Sequence, residues 1–94
     1  MITYLIEREV PGASQLTDEE LLGITTTSND AVESLNKPYT WLYSFVAGDK
    51  IYCLHTAESE EVIREHARRG GFPANAVNVV ANVFGADGLR EMPR

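Results

Sequence analysis

The stretch that most constrains the fold is EEVIREHARRGGFPA, residues 60–74. It reads as a short amphipathic helix, a double-glycine stop and an aromatic–proline anchor. Ser59 precedes it as an N-cap, because its hydroxyl can accept from an orphan amide of the first turn. Glu60 and Glu61 stand where the helix dipole favours negative charge, and Arg68 and Arg69 where it favours positive charge. Val62, Ile63, His66 and Ala67 recur at three- and four-residue spacing, so they share one face. Glu65 and Arg69 form an i,i+4 pair in the favourable order, worth roughly 0.3–0.5 kcal/mol. Gly70 or Gly71 can take the left-handed C′ conformation; Phe72 then folds back on the helix end and Pro73 prevents continuation. A helix with one apolar stripe needs a layer to cover.

The earlier chain supplies that layer. Ile2 to Val10 reads as a strand with Ile2, Tyr4 and Ile6 on one face and Thr3, Leu5 and Glu7 on the other. Pro11-Gly12-Ala13-Ser14 ends it. Thr17 and Glu20 then make a capping box, with Leu16 and Leu21 placed as a hydrophobic staple. Leu21, Ile24, Ser28, Val32 and Leu35 continue a buried stripe, predicting a helix of about four or five turns. Thr25-Thr26-Thr27 loosens its middle, since branched side chains lose rotamer freedom there. Asn36-Lys37-Pro38 closes it.

Tyr39 to Ala47 is the clearest strand, with Tyr39, Trp41, Tyr43 and Phe45 alternating with Thr40, Leu42, Ser44 and Val46. Gly48-Asp49 suits a two-residue hairpin turn. Lys50 to Ala57 returns with Ile51, Cys53 and His55 on one face and Tyr52, Leu54 and Thr56 on the other. After the organising helix, Val77 to Phe84 is the last strand. The domain then spans residues 1–84, and residues 85–94 read as a mobile C-terminal tail.

The order is therefore βαββαβ, an α+β ferredoxin-like pattern: a four-stranded antiparallel sheet with two helices on one face. The two central strands carry large apolar side chains on both faces. A single chain would expose more contiguous apolar surface than monomers tolerate, so the open face is expected to be buried in a homodimer, as in dimeric α+β-barrel assemblies.

Charge and cysteine usage bound the partners. With 8 basic and 14 acidic residues the net charge is −6. That disfavours nucleic acid, which needs a basic field. Cys53 is the one cysteine, so no intrachain disulfide forms and a reducing cytoplasm is expected. The longest apolar-rich run, Trp41 to Ala47, is too short to span a membrane, and no secretory leader pattern is visible at the N-terminus.

DKIYCLHTAESEEVIREHARRGGFPA, together with YLIEREVPGA and WLYSFV, resembles the pattern of a family of small bacterial ferredoxin-like proteins of unknown function. Its members are often described as nickel-binding or nickel-responsive. The resemblance covers about residues 3–84. It implies a dimer with metal ions held near the subunit surface, and nickel as the metal. Some members carry a histidine on the second strand where this chain has Tyr43.

Imidazole suits nickel and zinc, with carboxylate or water oxygens completing exposed sites. His66, on the apolar face of its helix, is either a packing histidine or a ligand alongside Glu65. Glu61 and Glu65, one turn apart, could share a surface cation; solvation is the ordinary state of such a pair. Cys53 and His55 point the same way from one strand and could offer a thiolate and an imidazole, although a buried cysteine is ordinarily a small hydrophobe. Glu7 is a further carboxylate, with a salt bridge to Arg8 or a helix arginine as its ordinary role. No CxxC, HxxxH or HExxH spacing is present.

Two functions follow as expectations. One is a cytoplasmic, homodimeric metal-binding protein that binds or sequesters nickel, using His66, His55, Glu65, Cys53 and Glu7. The other is a small-molecule-binding protein or cofactor-independent enzyme, with Tyr4, Trp41, Tyr43, Tyr52 and Phe45 lining a cavity. For catalysis, a Cys53–His55 pair is badly placed, because i,i+2 geometry on one strand does not favour a direct thiol–imidazole bond.

Overall fold

Alternation along Ile2–Glu9 (β1) turns Tyr4, Ile6 and Arg8 to one side, and all three are buried. The computed structural model describes residues 1–90. After a short 3-10 turn at Ala13–Gln15 come the first helix, Asp18–Leu35 (α1), and a hairpin of Tyr39–Ala47 (β2) and Lys50–Ala57 (β3). Then follow the second helix, Glu60–Gly70 (α2), and Ala76–Val79 (β4). The sheet order is β2-β3-β1-β4, with every neighbour antiparallel. This is the expected ferredoxin-like arrangement.

Register fixes which residues meet the helices. Across the two central strands Tyr4 opposes His55, Ile6 opposes Cys53 and Arg8 opposes Ile51. This row faces α2, whose stripe of Val62, Ile63, His66 and Ala67 is buried as its spacing required. Ile6 and Ile63 are wholly buried at its centre. On α1 the capping box forms, with Thr17 and Glu20 bonding each other's backbone amides. The threonine run is helical, and each hydroxyl bonds the carbonyl four residues back.

Two expectations are corrected. The face of β2 is not uniform: pairing with β3 slips between Trp41 and Tyr43, leaving Leu42 as a bulge. Tyr39 and Trp41 face the helices, opposite Ala57 and His55. Beyond the bulge, Ser44 and Val46 take that side, opposite Cys53 and Ile51. Tyr43 and Phe45 go to the open face and remain about half exposed, at 49% and 53%. An extra residue reverses the alternation that a continuous strand would keep.

The second correction concerns the last strand, expected over 77–84. It ends at Val79, and Val83–Gly85 (β5) instead pairs with Gly88–Arg90 (β6) in a separate two-stranded hairpin. Gly88 turns that hairpin at φ 105°. The end of the expected tail, residues 91–94, lies outside the described residues.

The exit from α2 follows the sequence closely. Gly71 takes the left-handed position at φ 72°. Phe72 N–H bonds the Ala67 carbonyl at 2.8 Å and Gly71 N–H bonds the Arg68 carbonyl at 3.3 Å, a Schellman closure. The Phe72 ring then lies over Gly70, where an added Cβ would sit 2.4 Å from a ring carbon. That ring is held from its other contacts by His66 and Arg8. Gly70→Ala is therefore expected to displace Phe72 and to lower stability by about 1–3 kcal/mol, read as an earlier urea midpoint at unchanged m-value.

Candidate functional site

α1 is tightly packed along only half its length. Its C-terminal half buries Ser28, Ala31 and Leu35, and Arg69 of α2 donates to the Ser34 carbonyl there. In the N-terminal half Leu21, Ile24 and Thr25 are only half buried. Small residues let the two helices approach at one end, and the helix stands off the sheet at the other. Between them lies a cavity of about 370 Å³. Its roof is Leu21, Ile24, Thr25 and Ser28. Its floor is Trp41, Ser44 and Val46 of β2 with Ile51, Cys53 and His55 of β3. Arg8, Phe72 and Pro73 form one wall.

The polar groups of this cavity are chained together. Trp41 Nε1–H donates to Ser44 Oγ at 2.9 Å, and Ser44 Oγ–H donates to Cys53 Sγ at 3.0 Å. Arg8 Nε–H donates to the same sulfur at 3.4 Å, and Arg8 Nη1 donates to the Pro73 carbonyl at 2.6 Å. The guanidinium carbon stands 5.4 Å from the Phe72 ring centre, a cation–π contact. The bulge at Leu42 makes this possible, since it brings Trp41 and Ser44 to one side of the strand.

Behind the floor the two histidines meet. Their ring centres are 5.1 Å apart, edge to face. His55 Nδ1 pairs with the Tyr39 hydroxyl, and Tyr39 stacks on His66, which in turn stacks on Phe72. His66 Nε2–H donates toward Ser28, whose hydroxyl lies at 3.1 Å and carbonyl at 3.3 Å. Its Nδ1 is buried without a partner, the lone pair of a neutral ring. Burial pushes the His55 pKa down to about 3, with the neighbouring His66 and Arg8 adding to the shift. Burial also lowers that of His66, partly opposed by its bond to the Ser28 backbone, and raises that of Tyr39. Both rings are neutral near pH 7.

The five residues expected as metal ligands lie in three places. His55, His66 and Cys53 are on the interior side of the sheet. Glu65 is on the solvent side of α2, held between Arg68 and Arg69, whose hydrogen bonds pull its pKa to about 2. Glu7 is on the open face and pairs with Lys50, not with Arg8 or a helix arginine. Of the aromatics expected around a cavity, Trp41 lines one, and Tyr43 and Phe45 lie on the other side of the sheet.

The residue that sequence reasoning passed over is Arg8. The signal was available: Arg8 follows Tyr4 and Ile6 at alternate positions of β1, so it shares their inward face.

The Nickel responsive protein SCO4226-like family matches this chain over residues 4–80. The chain belongs to that family. A crystal structure of SCO4226 from Streptomyces coelicolor A3(2) is similar, with a TM-score of 0.69 and 20% identity over 84% of this chain and 95% of that one. At that identity the likeness carries the fold alone. No match is found among curated proteins.

The family name raises the question whether nickel fits these residues. Among the described residues no three His, Cys, Asp or Glu side chains converge on a point. Each interior histidine has one nitrogen committed, His55 Nδ1 to Tyr39 and His66 Nε2 to Ser28, and Arg8 bonded to Cys53 opposes a dication there. The described residues of one chain therefore offer no site that fits a nickel ion.

The neutral histidines make a pH prediction. A histidine whose folded pKa is depressed contributes stability above its unfolded value, near 6.5, and loses it as pH falls toward the folded value. His55 alone is expected to cost about 2 kcal/mol of stability between pH 7 and pH 5, where ordinary carboxylates contribute little. Urea unfolding across that range should show the fall, and His55→Gln should flatten it whatever its own baseline stability.

Proposed function

We propose that this chain is a small-molecule-binding protein that takes an apolar ligand into the cavity between α1 and the sheet. The supporting observation is the cavity itself. Protein interiors are close-packed, with few voids larger than a water molecule. A 370 Å³ space walled by Leu21, Ile24, Trp41 and Phe72 is unlike such a void. It lies within the range of about 300–1,000 Å³ that small-molecule pockets occupy. Its polar groups are arranged for holding rather than turnover. Cys53 Sγ is engaged by Arg8 and Ser44, and His55 Nδ1 by Tyr39, so neither acts on the other.

Nickel binding or sequestration is the second reading, and the family description supports it. In that reading the chain is a cytoplasmic homodimer joined through the open sheet face. Exposed Tyr43 and Phe45 favour such a seam, with half-buried Leu5, Tyr52 and Leu54 around them. Donors from two chains would complete the metal site. Titration calorimetry of tag-free protein with Ni(II), with sedimentation run in parallel, tests it. Heat at micromolar metal from a dimer supports this reading, and no heat from a folded dimer rejects it.

The first reading is tested by filling the cavity. Trp41 is the sole tryptophan and reports on the site. Titration with neutral phenylacetamide is expected to change its fluorescence saturably. Ile24→Phe should weaken that binding at least about tenfold, a loss of some 1.4 kcal/mol, while circular dichroism stays that of the parent.

A further inference from the structure

Arg8 is only 4% exposed, and its charge has no carboxylate partner among the described residues. The contrast within the chain is sharp. Arg64, Arg68, Arg69 and Arg90 are at the surface, and each pairs with an aspartate or glutamate. Acidic residues outnumber basic ones by 14 to 8, so partners are plentiful. The arginine with most need of a counter-charge is the one without it. A buried cation is costly unless paired, because the interior replaces little of its hydration.

The guanidinium is only partly engaged. Nε and Nη1 bond Cys53 Sγ and the Pro73 carbonyl, and Nη2 bonds no described residue. Among the described residues, His66 Nδ1 is the side-chain polar atom that is both sealed and unpartnered, so Arg8 Nη2 is not sealed off, and Arg8 lines the cavity. Among the described residues no aspartate or glutamate lines that cavity, and Arg8 is the one that brings a permanent charge to it. His55, whose Nδ1 is engaged by Tyr39, belongs to the floor of the same cavity.

We propose that the ligand of this cavity is an apolar monocarboxylate, its carboxylate paired with Arg8 and its body against Leu21, Ile24, Trp41 and Phe72. A guanidinium presents parallel N–H donors that match a carboxylate. One fixed cation in an otherwise apolar chamber matches a monoanion, and a phosphate dianion would enter with charge left over. This assignment rests on the small-molecule reading above and adds the chemical class of the ligand.

The test compares acids with neutral analogues of the same shape on the full chain. Trp41 fluorescence is followed against phenylacetate and phenylacetamide, and against octanoate and octan-1-ol. The acids are expected to bind at least about tenfold more tightly than their neutral counterparts, as a charge-assisted hydrogen bond requires. Arg8→Gln should remove the preference and leave binding of the neutral compounds. Arg8→Lys, which keeps the charge, should retain part of it and serves if the glutamine variant does not fold. Equal binding of acids and neutral analogues, or a preference unchanged in Arg8→Gln, overturns the carboxylate assignment and leaves the cavity reading intact. Failure of all four compounds to bind overturns both.

Discussion

A guanidinium drawn into the interior of a 94-residue chain is the constraint around which this fold is arranged. Removing a cation from water costs several kcal/mol even after relaxation. The chain offsets this with a carbonyl, a sulfur and an aromatic face. Cys53 comes from the neighbouring strand. Pro73 and Phe72 come from the turn after α2. The exit from α2 must therefore be held at a fixed distance from β1. A left-handed Gly71, a side-chain-free Gly70 under the ring and a proline that ends the helix are what hold it.

The same turn anchors the second structural unit, the file of Tyr39, His66 and Phe72 with His55 set against it. Neutral imidazoles suit this position because each has an apolar ring and one polar atom that reaches a partner. His55 ties the sheet to Tyr39, and His66 ties α2 to Ser28 of α1. Burial depresses both pKa values, and the nearby Arg8 charge acts in the same direction. The C-terminal half of α1 is fixed by this file. Among the described residues its N-terminal half has no comparable tie, and the cavity lies beneath that half.

Much of this was legible in the sequence, for reasons specific to each segment. α2 could be read almost atom by atom because its cap, stripe and stop are local features. So could the capping box at Thr17 and the turn at Gly48. Three features resisted. The bulge at Leu42 leaves no local mark, since a strand with apolar residues on both faces reads alike in either phase. The break after Val79 was hidden because Val80 to Phe84 continues the same composition, while pairing depends on how far β1 extends. The role of Arg8 was masked by a prior that arginines lie at the surface, although its place in the alternation of β1 pointed inward. The metal candidates were chosen by residue type, and type does not reveal that Glu7, Glu65 and the histidines lie on three different surfaces.

The two functional readings occupy opposite sides of one edge strand. Trp41 and Ser44 of β2 belong to the cavity, while Tyr43 and Phe45 belong to the open face. A second copy of the chain laid on the open face would leave the cavity unfilled, and a ligand in the cavity would leave the open face exposed. Neither event substitutes for the other, so both can occur in one protein. Side chains of the two surfaces alternate along β2 and β3: on β3, Cys53 and His55 floor the cavity while Tyr52 and Leu54 face outward, and on β2 the bulge sets which residues go to each side. A bulge bends its strand and re-aims the side chains beyond it. A shift of the Leu42 bulge along β2 would exchange residues between the two faces. In a sheet whose other strands pair regularly, that bulge is what divides the residues of β2 between the cavity and the open face.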